Sequence, residues 1–164
     1  MVAVGTRKLF FILNGAAIFL VPIVVVLGRA AGGNTGWFLA LFFIFGSVLV
    51  AAWYLVLLLL SFLLPEVRSP RHSLLQTLWF IATCATVLAL LIMPDTGDTP
   101  ESTTVWFIFS FMEKGKALKL SEYLSVIFAG LGLLGFLGWI GTCIYDKFRT
   151  PEKGLASINS DRVK

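Results

Sequence analysis

Hydrophobic and polar positions do not alternate along this chain; they come in blocks. Four stretches contain no Asp, Glu, Lys, Arg or His: Leu9–Leu27, Trp37–Leu64, Leu74–Met93 and Tyr123–Tyr145. Each reaches the roughly 20 residues needed to cross a hydrocarbon layer about 30 Å thick. In lipid every backbone amide must be bonded within its own segment, so these spans (9–27, 37–64, 74–93 and 123–145) are predicted to be helices. A membrane β-barrel would need segments of about ten residues with alternating polarity, and none occurs. The predicted fold is all-α: an integral membrane protein with four transmembrane helices.

The blocks between the spans set the order of the helices. Gly28–Gly36 and Pro65–Ser73 are short and join antiparallel neighbours. Pro65 ends the second helix, because it has no amide proton and disfavours helix in its predecessor. An up-down-up-down bundle follows. The third connection, 94–122, is longer. It opens with the acidic, turn-rich Pro94–Thr104 and continues with Val105–Met112, too short to span and dominated by aromatic rings suited to the membrane interface. Residues 146–164 form a polar tail.

Charge gives orientation. Arg7, Lys8, Arg68, Arg71, Lys147, Arg149, Lys153, Arg162 and Lys164 fall on one predicted side; Arg29, Lys114, Lys116 and Lys119 fall on the other. With acidic residues counted, the two sides carry +5 and −1 of the total +4. Basic loops stay on the cytoplasmic side, so both termini are expected inside, in a plasma or inner membrane or an organellar equivalent. The first span is expected to be retained and not cleaved as a signal peptide. Its apolar core exceeds the usual 7–15 residues, and Val24–Arg29 lacks a small-x-small site.

Composition agrees with lipid as the medium. Apolar residues make up 58% of the chain and charged residues 13%, against about 45–50% and 25% in soluble domains. The basic residues flank apolar runs and do not cluster on one face, which argues against nucleic acid as a partner. Cys84 and Cys143 both lie in apolar runs and read as buried thiols, with neither a disulfide framework nor a redox pair indicated.

Candidate chemistry is sparse. Proton relays and ion pathways depend on ionisable residues inside the spans, and the four stretches have none. His72, the sole histidine, sits beside Arg71 and reads as part of the basic orientation signal. No cofactor and no metal site is expected. Gly130–Gly135 (GLGLLG) is embedded in an apolar span and follows no strand, so it reads as a packing element and not a phosphate loop. Asp95, Asp98 and Glu101 have the chemistry to bind a divalent cation; otherwise they are solvated.

What remains is packing. Gly130, Gly132, Gly135, Gly138 and Gly141 in the fourth helix allow a second backbone to approach closely. So do Ala82, Ala85 and Ala89 in the third. Asn14, an amide within the first span, is expected to hydrogen-bond across helices. Trp106, Phe107, Phe109 and Phe111 offer an aromatic surface to the interface or to a partner. The leading expectation is a non-catalytic accessory subunit of a larger membrane complex, its partners being membrane lipid and other subunits or copies of itself. The alternative is a small channel or facilitator for a neutral or lipid-like solute, with Ser47, Thr77, Thr83 and Thr86 as its lining.

Overall fold

In the computed structural model of the chain, residues 5–33, 36–64, 71–95 and 104–149 are described. Pro65, Arg68, Asp98, Glu101 and the tail from Thr150 onward lie outside them.

The described residues are helical, with four helices long and apolar enough to cross a membrane. Helix α1 spans Thr6–Ala31 and runs through Pro22. Helix α2 covers Trp37–Leu63; α3 is His72–Ile92 and α4 is Lys114–Arg149. At 1.5 Å per residue α4 is about 54 Å long, well beyond the hydrocarbon thickness, so it must tilt or project. Two helices run well beyond their uncharged stretches, and α3 begins two residues ahead of its own, at His72. Helix α1 takes in Arg29, and α4 takes in 114–122, which the charge pattern places in the connecting loop.

Helix α1 ends where glycine is needed: Gly32 caps it, and Gly33 adopts φ +76°, a left-handed conformation without steric cost for this residue alone. Helix α2 is not uniform. Phe42–Gly46 forms one wide π turn and Ser61–Leu63 closes the helix as a 3-10 turn. A Cβ on Gly46 would lie 2.5 Å from the Phe42 ring, so the glycine lets that ring fold back along its own helix. Phe42 is buried and stacks on Phe38 at 6.1 Å.

The core runs along the bundle axis. Phe10, Val21 and Val25 of α1 meet Tyr54 and Leu57 of α2, Leu75 and Trp79 of α3, and Phe136, Trp139 and Cys143 of α4. Aromatic edges lock it: Phe10 meets Trp139 at 5.4 Å, and Trp53 and Tyr54 both approach Phe136, at 5.6 and 6.0 Å. Helices α3 and α4 make the most extensive pair, followed by α1 with α2. Much of the described surface is apolar; Phe19, Phe43, Leu49, Val126 and Leu134 are each more than 60% exposed. Such a surface requires an apolar medium.

Candidate functional site: two polar clasps and a divided glycine helix

The least expected feature lies where α1 ends. Arg29 and Asp95 are both fully buried and paired at 3.1 Å. Arg29 Nη1 also donates to the carbonyls of Leu90 and Met93, at 2.7 Å each, which satisfies the otherwise unpaired acceptors at the carboxyl end of α3. Its guanidinium lies 4.3 Å from the Phe38 ring centroid. Asp95 meanwhile accepts the amides of Gly36, Phe38 and Leu39, at 2.9, 2.6 and 3.2 Å. It therefore caps the amino end of α2 from a distant segment, where a negative charge is favoured by the helix dipole. One ion pair thus ties together three helix ends. The expectation that Asp95 is solvated or takes a cation fails on both counts, because its oxygens are occupied by this clasp. No cluster of metal-binding side chains occurs among the described residues.

The aromatic segment closes over the clasp. Asp95 and Thr104 exchange backbone hydrogen bonds at 2.9 Å, and Trp106 Nε1 donates to the Gly28 carbonyl at 3.1 Å. A Cβ on Gly32 would overlap the Trp106 ring, so that glycine makes room for it. Phe109 is buried with Ile92 and Ala117, whereas Phe107 is 59% exposed and Phe111 83%. The four aromatic residues singled out from the sequence therefore divide: Trp106 and Phe109 face inward, Phe107 and Phe111 outward. Below this layer, Ser121 of α4 donates to the Ile92 carbonyl.

A second polar cluster sits inside the bundle. Asn14 is fully buried. Its Nδ2 donates to Ser61 Oγ at 3.0 Å, and its Oδ1 accepts Trp79 Nε1 at 2.7 Å. Ser61 donates its own proton to the Leu57 carbonyl at 2.9 Å. Asn14 thereby joins α1 to α2 and α3. Substituting Asn14→Leu is expected to cost about 1–2 kcal/mol, since Trp79 loses its acceptor in an apolar interior. Unfolding in mixed micelles measures it, and in a double-mutant cycle with Trp79→Phe the pair should lose less than the sum of the singles. Strict additivity would show that this hydrogen bond is not what Asn14 contributes.

At the opposite end, Thr6 Oγ1 and His72 Nδ1 lie 3.0 Å apart, Arg7 Nε donates to the Leu64 carbonyl at 2.8 Å, and Arg71 pairs with Asp146 at 3.3 Å while lying over Tyr145. His72, read from sequence as a loop charge, is buried and works as a contact between α1 and α3.

The small residues fall into two groups. Gly132 and Gly135 face α3: a Cβ on Gly132 would stand 2.5 Å from Thr86 Oγ1 and 3.3 Å from the Ala82 carbonyl, and one on Gly135 2.8 Å from Ala82 Cβ. Ala82, Ala85 and Ala89 are buried. Gly138 meets only Leu78 at ordinary contact distance, and Gly130 and Gly141 have open space. Of the four hydroxyls considered as a pore lining, three are hydrogen-bonded and one is exposed. Ser47 donates to Phe43 O and Thr86 to Ala82 O, at 2.8 and 2.9 Å, Thr83 receives Tyr54 Oη at 3.2 Å, and Thr77 is exposed.

No known protein family, curated protein or solved structure matches the chain.

Proposed function

We propose that this protein is a non-catalytic subunit that packs against other subunits, or against its own copies, within a membrane complex. The observation that carries this reading is the divided use of glycine in α4. Gly132 and Gly135 are consumed by the contact with α3, but a Cβ on Gly130 or Gly141 would meet nothing within 4 Å among the described residues. They lie about three turns apart on one face, with Leu134 and Leu137 exposed between them. Glycine in a lipid-facing helix gives up side-chain contacts, and a partner backbone that approaches there recovers them. Phe107 and Phe111, exposed ahead of the start of α4, offer a second apolar contact.

In this reading the four helices run up-down-up-down, with both termini on the cytoplasmic-type side of a plasma, inner or organellar membrane. The +5 to −1 charge division supports the orientation; the alternation is supported by Arg29 and His72, which join the two ends of α1 to the matching ends of α3, and by Asp95, which joins the end of α3 to the start of α2. A non-catalytic role is supported by the engagement of Arg29, Asp95, His72 and Asp146 with one another, with hydroxyl and backbone groups, or with arginine.

The test is assembly size after mild solubilisation. The wild-type chain is expected in a particle larger than the monomer, and Gly130→Leu with Gly141→Leu is expected to reduce it to monomer without lowering the unfolding midpoint. A wild-type protein that is monomeric and partnerless, or one that alone conducts neutral solutes across liposomes, overturns the proposal.

A further inference from the structure

A groove of about 460 Å³ opens between the start of α1 and the end of α2, lined by Gly5, Arg7, Lys8, Phe11 and Phe62. Its two halves differ in chemistry. One lip is the amino end of α1, where the helix dipole is positive and where Arg7 and Lys8 add two cationic side chains. The Arg7 guanidinium is held at the groove wall by its 2.8 Å bond to the Leu64 carbonyl, and Lys8 is exposed. The floor is apolar: Phe11 and Phe62 meet edge to face at 5.7 Å, and both remain substantially exposed, at 42% and 55%.

We propose that this groove binds one anionic phospholipid, with its phosphate at Arg7 and Lys8 and the start of an acyl chain along Phe11 and Phe62. Basic pockets between helix ends are suited to anionic headgroups. The volume is within the range of small-ligand sites. A soluble anion would use the cations but not the phenyl floor, and a zwitterionic headgroup would bring a cation of its own against Arg7 and Lys8. Only a ligand with a charged head and an apolar tail uses both halves. The inference rests on this groove and is independent of the α4 surface.

The experiment is native mass spectrometry of the full chain, released from mild detergent with equimolar phosphatidylglycerol and phosphatidylcholine. One phosphatidylglycerol per chain should be retained in preference to phosphatidylcholine. Lys8→Gln should lower that retention about fivefold, the effect of one interfacial charge, and Lys116→Gln, at the far end of the protein, should not. Arg7→Gln is expected to act like Lys8→Gln; if its unfolding midpoint falls because the Leu64 contact is lost, Lys8→Gln alone decides. Equal retention of the two lipids, undiminished retention in Lys8→Gln, or displacement of the lipid by inorganic phosphate would each overturn the proposal, the last by showing a soluble-anion site.

Discussion

Replacing Asp95 with Ala is expected to lower the stability of the protein by about 3–5 kcal/mol, the usual cost of leaving a buried charge without its partner. Two losses combine. Arg29, fully buried, loses its carboxylate, and the amides of Gly36, Phe38 and Leu39 lose their acceptor. Asp95→Asn should fall between wild type and Ala, because an amide oxygen still accepts from backbone N–H groups while the charge is gone. Arg29→Met with Asp95→Ala should cost less than the sum of the two single changes, since the double variant strands no charge. The two free thiols supply the readout. Cys143 is buried and Cys84 half-buried, so a thiol-reactive dye reports their exposure on heating in detergent. An Asp95→Ala midpoint equal to wild type would mean that Asp95 behaves as a solvated loop carboxylate and that the clasp does not hold the helix ends.

That clasp also marks the limit of what the sequence discloses. Four apolar helices can be read directly, because the absence of charge over 20 residues has one physical remedy in lipid. Asn14 is also readable as a residue in need of partners, since an amide inside an apolar span must bond to something. Which partners it finds, Ser61 and Trp79, depends on rotation of three helices about their axes. No local pattern records that rotation when nearly every position is apolar. Arg29 and Asp95 are harder still. Each stands beside glycines or prolines at the edge of a span, where a charge is ordinarily solvated and orients the chain. Their burial follows from α1 continuing to Ala31 and from Trp106 folding over the top, both long-range events. The glycines of α4 are an intermediate case. Their chemistry is plain, but five of them on one helix cover more than one face. Only Ala82 and Thr86, lying opposite Gly132 and Gly135, separate those that pack inward from those that do not.

The same division makes the second large prediction. Gly135→Leu is expected to prevent the native pairing of α3 and α4, the most extensive interface in the bundle. A Cβ at position 135 would already stand 2.8 Å from Ala82 Cβ, 3.2 Å from its Cα and 3.3 Å from its N. Side-chain rotation cannot relieve crowding against backbone atoms, so α3 itself must move. Even Gly135→Ala should cost about 1–3 kcal/mol by overpacking, although Ala normally improves on Gly within a helix by roughly 0.5–1 kcal/mol. Gly130→Ala meets nothing within 4 Å and should show that ordinary gain or no change. The two substitutions are chemically identical and lie five positions apart, so opposite signs isolate the interhelical packing from helix propensity. Ala82→Gly should recover part of the Gly135→Ala loss by removing the nearest clashing atom, while the crowding against the backbone of residue 82 persists. If Gly130→Ala and Gly135→Ala shift the unfolding midpoint equally, the glycines act through backbone flexibility, and close approach of α3 to α4 is not their purpose.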